Sequence, residues 1–192
     1  MYFCKSIYSQ KNMEDKVYLE IFEARLKESI LLPVNELQGD FIITDDILMQ
    51  WERLQQDYIA DAVTQIADYP EVSVAWAAYL GLAVAEGWDR DWDALVQLPY
   101  TSFYGKQGFD DMDDNILMNH LNLTLDCKEA QKYVALYRTC ARIATSSIRR
   151  EQIPPQSPLA YHCFVRVCKI MFCLGVSVRL KHLGYSLQKV DL

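Results

Sequence analysis

The stretch TDDILMQWERLQQDYIADAVTQI, residues 44–66, decides the fold class of this chain. Its apolar side chains recur at steps of three and four residues, at Ile47, Trp51, Leu54, Tyr58, Ala62 and Ile66. This period places them on one face of a helix and the polar residues on the others. Thr44 and the two aspartates after it suit a helix start, because they satisfy free backbone N–H groups and complement the helix dipole. The stretch therefore predicts an amphipathic α-helix.

The segments on both sides of this helix are also typical of helices. Upstream, residues 13–30 carry a broad apolar face. Downstream, residues 70–85 are apolar nearly all round, which predicts a central helix that its neighbours bury on several sides. Pro70 suits the first position of that helix, where a missing N–H costs no hydrogen bond. Gly81 predicts that another helix approaches closely at that point.

The C-terminal third predicts two more long helices. Asp126 and Glu129 have the spacing of a capping box, which marks the start of the first one. The prolines after Ile153 end this helix, because proline cannot extend it. Ser157 opens the second helix and Gly184 closes it.

Short helices are predicted at residues 91–98 and 113–121, and no segment shows the alternation of a β-strand. The sequence thus predicts an all-α protein, a compact bundle of about six helices with one irregular aromatic and acidic segment. We expect residues 1–192 to form a single helical domain. Whether residues 1–12 form a loosely ordered N-terminal extension is left open.

The composition is that of a folded protein without a membrane span. Hydrophobic residues make up 51% of the chain and charged residues 23%. The first ten residues, MYFCKSIYSQ, lack the apolar run of a signal peptide. Of the two longest apolar stretches, residues 72–85 are too short to cross a bilayer and residues 159–180 carry three charges. We expect a cytoplasmic protein that does not bind membranes.

The cysteines fit a reducing compartment. The chain has six, at Cys4, Cys127, Cys140, Cys163, Cys168 and Cys173. The last three lie on one predicted helix at five-residue steps, and each step turns the side chain by roughly 140°. They therefore point in three directions and can neither pair with one another nor share a metal ion. We expect all six thiols to be free.

The charges divide along the chain. Residues 1–125 hold 22 acidic and 8 basic side chains, whereas residues 126–192 hold 4 acidic and 11 basic ones. Two interpretations remain open: the two parts neutralise each other in the fold, or one of them faces a charged partner. The net charge of −7 makes nucleic acid an unsuitable partner.

Familiar catalytic motifs are missing from the sequence. There is no P-loop, no glycine-rich dinucleotide fingerprint and no G-x-S-x-G, and neither C-x-x-C nor H-E-x-x-H indicates zinc. The sequence therefore predicts no catalytic residue and no cofactor.

The cluster EGWDRDWD, residues 86–93, has aspartates at alternate positions, as a calcium loop does. An EF-hand is excluded, because Ala94 stands where its turn needs glycine and Tyr100 where it needs the bidentate glutamate. A structural interpretation is that Asp89 or Asp91 caps a short helix, with Trp88 and Trp92 as anchors in the core.

Two pairs of carboxylates are spaced to share a helix face. Glu20 and Glu23 form an E-x-x-E pattern, and Glu86 and Asp89 form an E-x-x-D pattern. These pairs resemble those of the all-α nucleotide pyrophosphohydrolases, and the resemblance implies a Mg²⁺-dependent phosphohydrolase in which the four carboxylates hold the metal. The chain departs from the family pattern, because 62 residues separate the two pairs. Convergence of the four side chains in one cleft would favour this alternative.

Our main hypothesis is a helical module that binds a basic protein or a cationic small ligand, as an immunity protein neutralises a basic toxin. Aromatic rings beside carboxylates suit such ligands, and irregular segments on a helical scaffold often carry function. The predicted contact region lies within residues 86–114 and comprises Trp88, Asp89, Asp91, Trp92, Asp93, Tyr104, Asp110 and Asp111. The alternative is that the aromatic residues simply plug one end of the bundle.

Overall fold

A computed structural model describes the backbone of residues 2–186 and the side chains of residues 14–186. The fold is all-α, as predicted, and no β-strand occurs in the described range. The described residues form seven α-helices, close to the expected six: α1 (Tyr2–Leu31), α2 (Asp45–Gln65), α3 (Pro70–Arg90), α4 (Trp92–Gln97), α5 (Met112–Asn115), α6 (Lys128–Arg150) and α7 (Pro158–His182). Helix α1 begins earlier than the predicted start at residue 13. Short 3-10 turns connect several helices, and a π-helical turn, Ile116–His120, continues α5.

Helices α3 and α7 form the centre of the bundle. Their backbones touch at two glycines, and this confirms the close approach predicted at Gly81. A Cβ atom on Gly81 would overlap the carbonyl oxygen of Phe172, and one on Gly175 would overlap that of Ala78. Each helix thus has a glycine where the other helix presents backbone. The apolar character of residues 70–85 follows from this central position, because α2, α6 and α7 all pack on α3.

The outer helices attach to this pair through large buried side chains. Trp51 of α2 packs on Phe172 of α7, with ring centroids 5.0 Å apart. Tyr137 of α6 packs edge-on against Tyr79 of α3, at 5.1 Å. Helix α1 lies against α6 and α7 and buries Phe22 and other apolar residues. Among the described residues, no helix is both long and apolar enough to cross a membrane.

The predicted helix starts are found in part. Thr44 occupies the N-cap position of α2, but its side chain bonds to Asp46 instead of to a backbone N–H. Ser157 accepts the Ala160 N–H at 3.1 Å and opens α7, as expected. The capping box predicted for Asp126 is wrong, because Cys127 is the N-cap of α6 and its Sγ accepts the Ala130 N–H at 3.3 Å. Cys127 has the extended backbone of a cap, and the first helical residue is Lys128.

Five of the six cysteines lie in the range whose side chains are described. All five carry free thiols, and burial raises the pKa of Cys140 to about 12. A buried thiol such as that of Cys140 is a poor nucleophile, because burial disfavours the thiolate. The prediction for Cys4 falls outside the described side chains.

Candidate functional site

The irregular segment after α3 forms a strap, residues 91–121, that runs along α2 and then returns along α3. On the outward path, the Leu98 carbonyl accepts from the Arg53 guanidinium at 2.9 Å. Further along α2, Asp110 accepts from the Gln65 amide at 3.4 Å. The strap therefore follows most of the length of α2.

Most aromatic rings of the strap face the helices. Phe109 packs edge-on against Trp76 of α3 at 4.6 Å, and Phe103 stacks on His120 at 5.2 Å. The Phe103 carbonyl also accepts from the Asn115 amide at 3.1 Å, which ties the two arms of the strap together. These rings are buried by packing, as the alternative interpretation of the segment expected, but they lie along the helices and do not plug one end of the bundle.

The chain turns sharply from α3 into α4, and we call Trp88, Asp89, Asp91, Trp92 and Asp93 the α3–α4 corner. All three aspartates are exposed, and the two tryptophans are half-buried against the core. Asp91 is the N-cap of α4, and its carboxylate accepts the Ala94 N–H at 3.0 Å. The capping interpretation is thus confirmed for Asp91. Asp93 lies in the first turn of α4, where the helix dipole favours an anion.

A hydrogen-bonded aromatic pair fixes this corner. The Trp88 indole N–H donates to the Asp46 carboxylate at 2.7 Å. Tyr185, after α7, packs edge-on against Trp88 at 5.4 Å and donates its hydroxyl to Asp89 at 2.7 Å. The N-terminus of α2 and the ends of α3 and α7 therefore meet here.

The structure does not gather the predicted contact region into one surface. Asp110 and Tyr104 lie beside the C-terminal half of α2, whereas the α3–α4 corner lies beside its N-terminus. From Asp46 to Gln65, α2 rises by about 28 Å. The Asp111 carboxylate is hydrogen-bonded within the strap, where it accepts the Gln107 N–H at 3.0 Å. The contact region is therefore two groups of residues, one near each end of α2.

The carboxylates of the phosphohydrolase alternative are not assembled. Glu23 forms an ion pair with Arg166, and Glu86 forms one with Arg179 at 2.6 Å. Glu20 is exposed, and Asp89 accepts from Tyr185. Within residues 14–186, no three His, Cys, Asp or Glu side chains come together as a possible metal site. The spatial convergence on which that alternative depends is thus missing there.

Arg179 is the centre of a polar network beneath the corner. Besides Glu86, it binds the Glu129 carboxylate at 3.1 Å. The Tyr133 hydroxyl lies 3.2 Å from Glu129 and 2.7 Å from His182 Nδ1. Charge-assisted hydrogen bonds to Glu86 and Tyr133 raise the pKa of Arg179 against the opposing effect of its burial. The network holds α3, α6 and α7 together.

Asp113 lies in a shallow pocket of about 140 Å³ between α3, α6 and the strap, which Trp76, Tyr79 and Arg138 also line. Burial, reinforced by the neighbouring Asp114 carboxylate, raises the pKa of Asp113 above its usual value. Folding therefore disfavours the ionised form of this side chain.

A second acidic and aromatic cleft was missed by the sequence analysis. Asp57 and Asp61 of α2 and Tyr100 and Tyr104 of the strap line a cleft of about 330 Å³. The Tyr104 hydroxyl donates to the Asp61 carboxylate, across 43 positions of sequence. The available signal was the i,i+4 spacing of Asp57 and Asp61, since two like charges one turn apart destabilise a helix.

The chain matches no protein-family model, no curated protein and no solved structure.

Proposed function

We propose that this protein is a helical interaction module that binds a basic protein surface at the α3–α4 corner. The observation that carries the proposal is the state of Asp89, Asp91 and Asp93. All three are exposed, and no Lys, Arg or His in the described range forms an ion pair with them. Exposed carboxylates beside half-buried tryptophans combine charge attraction with apolar contact area, as protein interfaces do.

The charge around the corner supports a basic partner. Residues 41–126, which include α2, α3 and the strap, hold 16 acidic and 3 basic side chains. In the described structure only Glu71 and Glu86 of these acids form ion pairs. A surface of one sign attracts an oppositely charged protein and accelerates its association.

Asp89 supplies a local argument as well. It lies in the last turn of α3, where the negative end of the helix dipole disfavours a carboxylate. Capping explains Asp91 and the dipole of α4 explains Asp93, whereas Asp89 has the neutral Tyr185 hydroxyl as its hydrogen-bond partner and no cation in the described structure. A lysine or arginine of a partner would relieve this unfavourable placement.

The corner is also organised before binding. The hydrogen bond from Trp88 to Asp46 and that from Tyr185 to Asp89 hold the side chains in place. A rigid surface loses little side-chain entropy on association, so more of the contact energy appears as affinity. A cytoplasmic location belongs to the same proposal, and the five free thiols support it.

The test measures binding of a lysine-rich peptide by fluorescence anisotropy at low and physiological salt. The variant combines Asp89→Asn, Asp91→Asn and Asp93→Asn, and it keeps a capping side chain at the start of α4 because asparagine also caps helices. The control removes three exposed charges from α1, as Glu14→Gln, Glu20→Gln and Glu28→Gln. We expect the corner variant to weaken binding about tenfold and to flatten its salt dependence, because rim charges act through screened attraction.

The control distinguishes a site from general attraction to an acidic protein. We expect the α1 variant to change the affinity by less than about twofold, since its charges lie on another helix. Equal weakening by both variants would contradict the proposal, because the peptide would then respond to net charge alone. Circular dichroism checks that both variants remain folded.

A further inference from the structure

The pocket between α3, α6 and the strap brings two opposite charges together without pairing them. Asp113 of the strap and Arg138 of α6 both line it, and neither forms an ion pair in the described structure. Glu71, the other acidic side chain of the pocket, is paired with Arg142 at 3.3 Å and does not neutralise Arg138. The pocket therefore holds one carboxylate and one guanidinium group whose charges are not compensated by each other.

The Asp113 carboxylate is half-buried, whereas Arg138 is exposed at the mouth of the pocket. Burial raises the pKa of Asp113, the Asp114 carboxylate raises it further, and hydrogen bonds from Trp76 and from the backbone oppose both effects. Because the pKa stays raised, these donors do not fully compensate the buried charge. An ammonium group in the pocket would supply the missing stabilisation, since a nearby opposite charge favours the ionised carboxylate.

Tyr79 points to a ligand independently of the acidic residues. Its side chain lines the pocket and is only 4% exposed, yet its hydroxyl has no hydrogen-bond partner in the described structure. Unlike the hydroxyls of Tyr100 and Tyr137, it is not sealed from solvent. Burial raises the pKa of Tyr79, Asp113 raises it further and Arg138 lowers it, so the hydroxyl lies near both charges. It is thus a free donor and acceptor that a ligand in the pocket can reach.

The remaining walls of the pocket are apolar and enclose little space. Val72 and Ala75 of α3 and Val134 of α6 line it. Its volume of about 140 Å³ is well below that of a drug-sized ligand site. At roughly 30 Å³ for each water-sized group, it holds about five non-hydrogen atoms. An inorganic ion would match only one of the two charges, whereas a small zwitterion matches both.

We propose that this pocket binds a small free amino acid, whose ammonium group binds Asp113 and whose carboxylate binds Arg138. A guanidinium group suits that role, because it forms two parallel hydrogen bonds with a carboxylate. The Tyr79 hydroxyl forms a hydrogen bond with the same ligand. From Trp76 to Asp89, α3 rises by about 20 Å, so the pocket is separate from the α3–α4 corner. The test of this site therefore succeeds or fails independently of the proposed function.

The experiment titrates the full chain with L-alanine and follows the backbone amide and indole N–H signals by NMR. Ethylammonium chloride lacks the carboxylate and sodium propionate lacks the ammonium group, so these two salts are the matched half-ligands. Sodium chloride balances the ionic strength, and β-alanine tests a longer spacing of the two charges. We expect saturable shifts at residues 75–79, 112–114 and 134–138 with L-alanine.

The comparison with the half-ligands tests whether both charges take part. L-alanine should bind at least about tenfold more tightly than either half-ligand, because a second charge-assisted hydrogen bond contributes at least that factor. Equal affinity for L-alanine and one half-ligand would overturn the proposal. The absence of saturable shifts with both amino acids would overturn it as well.

Three variants locate the interaction. Asp113→Asn and Arg138→Gln should each weaken L-alanine binding about tenfold, and Tyr79→Phe about threefold, through the loss of a charge or of one hydrogen bond. The controls are Asp110→Asn on the strap and Lys132→Gln on α6, which remove exposed charges outside the pocket. Each control should change the affinity less than about twofold, because exposed charges at a distance are screened.

Arg138→Gln decides the outcome, because Arg138 is exposed and its replacement leaves the core intact. This variant should bind L-alanine no more than about twofold better than ethylammonium, since the carboxylate has lost its partner. Asp113→Asn should likewise lose the preference for L-alanine over propionate. Unchanged affinity of Arg138→Gln for L-alanine would overturn the proposal, and so would a weaker affinity with the full preference retained. Circular dichroism checks that the variants remain folded.

Discussion

The substitution Gly81→Ala tests the central contact of the fold. A methyl group at position 81 would overlap the Phe172 carbonyl oxygen and come within 2.9 Å of the Val176 nitrogen. Both are backbone atoms of α7, so no side-chain rotation can relieve the overlap. Helix α7 would have to move away from α3, which would loosen the packing along the centre of the bundle.

The expected magnitude combines two opposing effects. Overpacking a core costs about 1–3 kcal/mol, and the rigid backbone on both sides places Gly81 at the upper end of that range. Alanine in a helix is more favourable than glycine by about 1 kcal/mol. The net loss should be about 2 kcal/mol in the free energy of unfolding, which for a chain of this size lowers the melting temperature by about 4–8 °C.

The measurement is urea denaturation and thermal melting followed by circular dichroism. Gly87→Ala is the matched control on the same helix, because the atoms nearest to its new methyl belong to the Leu95 side chain, with Cδ1 at 2.8 Å, and not to a backbone. A side chain can rotate away, so this variant should lose clearly less stability than Gly81→Ala. If Gly81→Ala were as stable as the parent protein or more so, the close backbone contact of α3 and α7 would be refuted.

Three further predictions concern charged groups of the fold. Arg179→Met should lower the free energy of unfolding by about 3 kcal/mol in urea denaturation, because it leaves the buried Glu86 carboxylate without Arg179. A loss below about 1 kcal/mol would contradict the buried ion pair. Asp91→Ala should cost about 1 kcal/mol and Asp91→Asn less than about 0.5 kcal/mol, since only Asn still caps α4, and equal losses would exclude the cap. Asp113 has a raised pKa in the fold. Its deprotonation therefore lowers the free energy of unfolding as the pH rises from 3.8 through the pKa of the folded state. Asp113→Asn should therefore stabilise the protein at neutral pH, with a gain that disappears below the ordinary pKa of 3.8, and a pH-independent gain would exclude this cause.

The sequence could predict the helices because apolar periodicity is a local signal. The stripe from Ile47 to Ile66 and the apolar run after Pro70 both became helices close to the expected bounds. Which helices touch, and at what register, depends on contacts between distant segments. Gly81 was recognisable as a point of close approach. The surface around Gly175 that approaches it was not, because apolar periodicity does not identify which helix lies next to which.

Part of the site could also be predicted, because some of its contacts join residues that are close in the sequence. Capping by Asp91 is a contact across three residues, so it could be read from local spacing. The α2–strap cleft depends on Tyr104 reaching Asp61, 43 positions earlier in the chain. The strap runs along α2 and returns along α3 because its aromatic rings are buried against these helices, and no local pattern specifies that path.

The division of charge along the chain is explained by the fold only in part. Three acids of the first 125 residues, Glu23, Glu71 and Glu86, pair with arginines of the basic C-terminal part in the described structure. If neutralisation of the acidic part by the basic C-terminal part were the whole explanation of the charge division, the acidic side chains of α2 and the strap would also face basic helices. They lie instead on the exposed side of α2 and at the α3–α4 corner, where Arg53 and Arg90 are engaged by other groups. These three pairs therefore link α1 and α3 to α6 and α7, and the remaining aspartates form the charged surface on which the proposed partner site depends.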